Sequence, residues 1–140
     1  MEDTSGFWLM KSEPEKYSFA DLERDGRTNW DGVRNNQAAL YLRAMRKGDQ
    51  ALFYHSQKEL AAVGLMKVSK EAFPDATDLA GRFVAVEVEP LRRLKVPVTL
   101  AQMKAEPSLA EMKMFRQFRL SVVPLTAEEW TTILAMAGEA

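Results

Sequence analysis

The sequence predicts an α+β domain built on a small curved sheet or barrel of about five strands, flanked by short helices. Three observations carry that prediction. Short apolar runs of strand length recur along the chain, and one of them alternates apolar with acidic residues. Between them stand hydroxyl residues followed three positions later by Gln or Glu, the mark of a helix start. Finally, 140 residues without a repeat, a linker or a low-complexity stretch fit a single domain, here 1–140 with its core over about 6–137.

The elements follow in order. Phe7-Trp8-Leu9-Met10 reads as a buried strand, ended by Ser12-Glu13-Pro14. Ser18 with Asp21 caps a short helix that ends near Asp25-Gly26. From about 35 to 47, Ala38, Leu42 and Met45 recur at helical spacing, and Lys47-Gly48-Asp49 closes the helix. Residues 51–55 read as a strand, and 61–70 as another carrying Gly64, which permits either a close backbone approach or a bulge. The stretch 71–81, with Pro74-Asp75, reads as a loop. Residues 83–89 alternate apolar and acidic after their start, as a strand with one wet face does. Thr99 with Gln102, and Ser108 with Glu111, predict two short helices separated by Glu106-Pro107. Residues 118–123 read as a strand ended by Pro124. Thr126 with Glu129 opens the last helix, whose Trp130, Ile133, Leu134 and Ala137 share one face, so Trp130 belongs to the core.

Composition narrows the function classes. Hydrophobic residues make up 46% and charged ones 28%, ordinary for a soluble globular protein. No cysteine is present, which excludes disulfides, thiolate zinc sites and cysteine nucleophiles and fits a reducing, intracellular setting. The opening Met1-Glu2-Asp3-Thr4-Ser5 is acidic, unlike a signal peptide, and no apolar run approaches the roughly 18 residues needed to cross a membrane. A cytoplasmic protein away from the membrane is expected. No long apolar helix face calls for a second copy, so a monomer is expected too. A net charge of −1 counts against tight nonspecific binding to phosphates. Basic residues still cluster at Arg43, Arg46 and Lys47, at Arg92, Arg93 and Lys95, and at Lys113, Arg116 and Arg119. Each cluster alone reads as solvated surface charge or helix-end pairing.

Catalysis finds little support. His55 is the only histidine, and its neighbour Ser56 points to the other face of a strand. Ser12, Ser18 or Ser69 could approach His55 in the fold, but no G-x-S-x-G turn presents them. One histidine and scattered carboxylates such as Asp31, Asp75 and Asp78 are poor material for a metal site. No glycine-rich phosphate loop occurs. The expectation is no metal, no cofactor and no enzyme, with a small nucleotide-acting hydrolase using His55 as a competing reading.

Binding fares better. Trp30 sits in a polar, turn-forming context beside Asp31 and Gly32, which suits a stacking surface, although core burial stays equally open. Arg34, Asn35, Asn36 and Gln37 supply amide and guanidinium groups able to pair with a base edge, and one asparagine also suits a helix cap. Tyr54 and Ser56 share a strand face, and Lys11 and Ser12 leave the first strand within reach of a ligand edge or a phosphate. The competing binding reading is a module that grips RNA through the basic clusters and ignores base modification.

Five blocks, Phe7-Trp8-Leu9-Met10-Lys11-Ser12-Glu13-Pro14, Trp30-Asp31-Gly32-Val33-Arg34-Asn35, Phe53-Tyr54-His55-Ser56, Pro74-Asp75 and Arg119-Leu120-Ser121-Val122, resemble the EVE-domain family, in order from about 6 to 135. The resemblance implies a PUA-like fold related to YTH and ASCH domains, and a pocket for a modified nucleobase in DNA or RNA. By analogy with YTH readers, aromatic side chains would sandwich the base. Trp30 would be the stacking platform, with Lys11, Ser12, Asp31, Gly32, Arg34, Asn35, Tyr54, His55 and Ser56 lining or supporting it. The implied partners are nucleic acid carrying a modified base and a separate effector protein. The chain departs from many relatives at Asn36-Gln37-Ala38-Ala39, where they carry Tyr and then Gln-Ala-Arg, and at Phe83, where they carry Trp.

Overall fold

In the computed structural model, which describes residues 6–139, the strands are β1 (Phe7–Ser12), β2 (Thr28–Trp30), β3 (Gln50–His55), β4 (Ala61–Pro74), β5 (Val84–Thr99) and β6 (Val122–Leu125). The opening residues 1–5, read above as unlike a signal peptide, lie outside the described part. All six strands join one sheet in the order β2-β5-β4-β3-β1-β6. Only β1 and β3 run parallel, while every other neighbouring pair is antiparallel. The α+β class therefore holds, with six strands instead of about five. The sheet does not close into a barrel: β2 and β6 remain its two edges. Four register shifts between β4 and β5 supply the bending, because each bulge kinks its strand and adds local twist.

Most helices form where local chemistry predicts. α1 (Phe19–Asp25) has both halves of the Ser18–Asp21 box, and Gly26, at φ +77°, donates its N–H to the Leu22 carbonyl to close it. α2 (Asn36–Ala44) is capped by Asn35, whose side-chain oxygen accepts the Ala38 N–H at 2.9 Å. The boxes at Thr99 and Thr126 open α3 (Leu100–Ala105) and, after the four-residue helix α4 (Lys113–Arg116), α5 (Ala127–Met136). Trp130 is buried and stacks on Phe7 with ring centroids 4.6 Å apart, as a core residue should.

Three expectations are corrected. The Ser108–Glu111 box does not form, because the Glu106 carboxylate takes both the N–H and the hydroxyl of Ser108. The result is a single 3₁₀ turn over Pro107–Leu109, and Glu111 pairs with Arg116 instead. The strand expected over 118–123 starts only at Val122 and runs through Pro124. Proline is tolerated there because β6 is an edge strand whose one partner is β1. The loop expected from 71 begins only after Pro74, since Phe73 and Pro74 still pair with Ala85 and Val84. β2, at three residues, is too short to show alternation in the sequence.

Gly64 answers both readings offered for it. It lies at a register shift, and a Cβ there would come within 2.5 Å of the Phe19 ring. α1 can therefore press on the sheet only over a bare backbone. Because β1 and β3 are parallel and in register, Ser12 opposite His55, both strands end at the same side of the sheet. The candidate site is built there.

Candidate functional site

Two clefts meet at the carboxyl ends of β1 and β3. The larger, about 620 Å³, is lined by Lys11 and Ser12 from β1, by Glu13, Lys16 and Tyr17 from the turn after it, and by Thr28, Asn29 and Trp30 of β2. Asp31, Gly32, Val33, Arg34, Asn35 and Ser121 complete it. The smaller, about 260 Å³, shares Lys11, Glu13 and Ser121 and adds Tyr54, Ser56, Phe118 and Arg119. Of the ten residues singled out from the sequence, seven line the larger cleft, and Tyr54 and Ser56 join Lys11 in the smaller.

His55 lines neither. Its Nε2 accepts the N–H of Phe19 at 3.3 Å, at the start of α1, and its Nδ1 lies 3.9 Å from Glu59. Burial, assisted by Arg93 and opposed by Glu59, pushes its pKa below the usual histidine value, so the ring is held neutral as an acceptor. The serines weighed as its partners are engaged elsewhere. Ser12 donates to the Tyr17 carbonyl at 2.6 Å, Ser18 caps α1, and Ser69 donates to Glu87 at 2.9 Å.

The wall from Trp30 to Asn35 is held by a carboxylate 41 to 43 positions away. Asp75, 3% exposed, accepts the Gly32 N–H at 2.8 Å and an Arg34 N–H at 3.0 Å on one oxygen. Its other oxygen accepts the N–H and hydroxyl of Thr77 at 2.7 and 2.6 Å. Burial alone would raise the pKa of this carboxyl, but these four donors outweigh it and hold it well below the ordinary carboxylate range. Asp78 likewise accepts the N–H groups of Ala80, Arg82 and Phe83. Two of the three acids considered as magnesium ligands, Asp75 and Asp78, are thus turn-builders here. Asp75 was legible only as half of a Pro-Asp turn; its partnership with Gly32 has no local signal.

These contacts define what the larger cleft can do. Trp30 is 8% exposed and packs edge-on against Phe53, centroids 5.4 Å apart, so it is at once a core residue and a wall of the cleft. Arg34 is committed: besides Asp75 it donates to Thr77 at 2.9 Å and lies over the Phe83 ring at 5.4 Å. Phe83 thus supports the guanidinium. Asn35 uses its oxygen as the α2 cap, and its amide N–H₂ makes no hydrogen bond among the described residues. Tyr17, unmarked in the sequence reading, is the second aromatic lining this cleft, its hydroxyl donated to Asp25 at 2.8 Å.

The basic clusters are partly neutralised. Arg92 pairs with Glu139 and Arg93 with Glu23, each at 2.7 Å, and Arg116 pairs with Glu111. Arg43 donates to the Arg82 carbonyl at 3.0 Å. Among the described residues no helix is long and apolar enough to cross a membrane, and no group of three or more His, Asp or Glu side chains could hold a metal ion.

Comparison with known proteins agrees with this architecture. The chain is 37% identical to human thymocyte nuclear protein 1, over 97% of this chain and 76% of that protein. The relative's name, a nuclear protein, does not match a cytoplasmic expectation. The solved structure of human THYN1 in complex with 5-methylcytosine-containing DNA superposes with a TM-score of 0.91 at 37% identity, covering 96% of this chain and 98% of that one. Rpa0253 from Rhodopseudomonas palustris superposes at 0.89 with 46% identity, over 94% and 92% of the two chains. An ASCH protein from Zymomonas mobilis, 12% identical, shares the fold at a TM-score of 0.59, over 94% and 95% of the two chains, consistent with a PUA-like architecture. The EVE domain family matches residues 6–136, and the chain belongs to that family.

Proposed function

We propose that this chain is a non-catalytic reader of a modified base in DNA, with 5-methylcytosine as the first ligand to test. The observation that carries the reading is the larger cleft. At about 620 Å³ it falls in the range of small-ligand sites, and it combines two aromatic rings, Trp30 and Tyr17, with an unengaged amide at Asn35. Aromatic walls take any base, with stacking contributing about 1–3 kcal/mol each. Selectivity then falls to the edge contacts and to the room left for a methyl group. The DNA complex of the THYN1 relative supports the same ligand class. In this reading the chain acts as a monomer and delivers the bound site to a separate effector protein.

The rival reading, RNA gripped through basic clusters, is weakened where Arg92, Arg93 and Arg116 are each paired with a carboxylate. The test is fluorescence anisotropy with oligonucleotides matched except for the methyl group, in DNA and in RNA, using wild type and Asn35→Ser. Serine preserves the α2 cap while removing the amide. Tighter binding of the methylated DNA, weakened in Asn35→Ser, is expected. Equal affinity for both bases, falling steeply with salt, would contradict the proposal.

A further inference from the structure

The smaller cleft holds two features that folding alone leaves uncompensated. Tyr54 is fully buried, and its hydroxyl has no hydrogen-bond partner among the described residues. Buried hydroxyls are almost always paired, so an orphan in a cleft wall points to an absent ligand. Beside it, the Lys11 ammonium lies 5.9 Å from the Tyr54 ring centroid and 4.3 Å from that of Phe118, donating to the Phe118 carbonyl at 2.7 Å. No carboxylate among the described residues forms an ion pair with Lys11, and its burial lowers its pKa to about 8. Arg119, on the rim, also lacks an ion pair among the described residues, and Ser56 adds a hydroxyl. The one acid lining the cleft, Glu13, lies 3.4 Å from Lys16.

The chemistry of this set is one-sided. Two cations and three hydroxyls converge on a space of about 260 Å³, with the one acid lining it engaged elsewhere. A base edge presents donors and acceptors together, whereas a phosphodiester presents only acceptors and a negative charge. The clefts share Lys11, Glu13 and Ser121, so a strand whose base enters the larger one passes its backbone beside the smaller. We infer that the Lys11–Tyr54–Arg119 cleft binds a backbone phosphodiester flanking the base held in the larger cleft, with the buried Tyr54 hydroxyl donating to a phosphate oxygen. This inference rests on the base-reading proposal for its strand path. It assigns the smaller cleft a positioning role: it fixes the register of the strand, and the base contacts supply the choice.

The experiment is a phosphate walk. Each phosphodiester around a 5-methylcytosine is replaced in turn by a neutral methylphosphonate, and binding is measured for wild type, Tyr54→Phe and Lys11→Met. Replacement at one position is expected to weaken wild-type binding about tenfold, the effect of losing one charge-assisted contact. Tyr54→Phe is expected to weaken the unaltered oligonucleotide similarly, to lose less than wild type does on that same replacement, since Lys11 and Arg119 still face the phosphate, and to melt no lower than wild type, its hydroxyl having no partner to lose. If no position matters, or Tyr54→Phe binds like wild type while the methyl preference persists, the inference is overturned and the base reading stands. If no oligonucleotide binds, the base reading fails and dimethyl phosphate decides. Lys11 Cε shifts with dimethyl phosphate that vanish in Tyr54→Phe uphold a phosphodiester site. Shifts with inorganic phosphate alone, or none, overturn it.

Discussion

Replacing Asp75 by asparagine tests how the wall of the larger cleft is held. The carboxylate accepts four hydrogen bonds from Gly32, Arg34 and both donors of Thr77. An asparagine can keep its oxygen toward Thr77, but then points an N–H₂ group at the Gly32 N–H and the Arg34 guanidinium. Two bonds to a charged acceptor are lost, each contributing about 1.5–3 kcal/mol. The Arg34 side chain is 40% exposed, so water replaces part of its loss, while Gly32 faces a buried donor with no acceptor. A net cost of about 3 kcal/mol follows. For a domain of this length that corresponds to a fall in Tm of roughly 12 °C, measured by circular dichroism. pH supplies an internal control. The folded pKa of Asp75 lies below its unfolded value, so its stabilisation is full above about pH 4 and fades as pH falls further. The gap between wild type and Asp75→Asn should therefore narrow in acid. A Tm within about 3 °C of wild type at neutral pH, or a gap independent of pH, would show that Asp75 does not hold this wall.

Two further outcomes follow from the same contacts. Gly64→Ala places a methyl within 2.5 Å of the Phe19 ring and should cost about 1–3 kcal/mol by chemical denaturation; an unchanged midpoint would show that α1 yields freely. His55 titrates below its unfolded value, so the folded state resists protonation and stability should decline as pH falls below about 6.5. His55→Gln should flatten that limb, and an equally steep decline in the variant would place its origin elsewhere.

What was legible in the sequence was local. The boxes at Ser18, Thr99 and Thr126 form as read, and of the two asparagines open as a cap it is Asn35 that takes it; all four involve residues three apart. The Ser108 box fails through an equally local competitor, Glu106 two positions earlier. The site was legible in its residues but not in its division. Parallel pairing of β1 with β3 sends Lys11 and Tyr54 to one cleft and leaves His55 to support α1, and no spacing along the chain encodes that pairing. Asp75, 43 positions from Gly32, and the Phe118 carbonyl, 107 from Lys11, are joined only by the fold. Tyr17 was overlooked because a tyrosine in a turn carries no periodic signal; it faces the cleft because β2 and the turn after β1 converge there.

The central claim is that the larger cleft receives a modified base. It is tested most directly by amide NMR titration with short DNA carrying cytosine or 5-methylcytosine at one position, which detects even millimolar binding. Methyl-dependent shifts centred on Ser12, Tyr17, Trp30 and Asn35 are expected. Shifts identical for both oligonucleotides, or confined to residues outside both clefts, would contradict the claim.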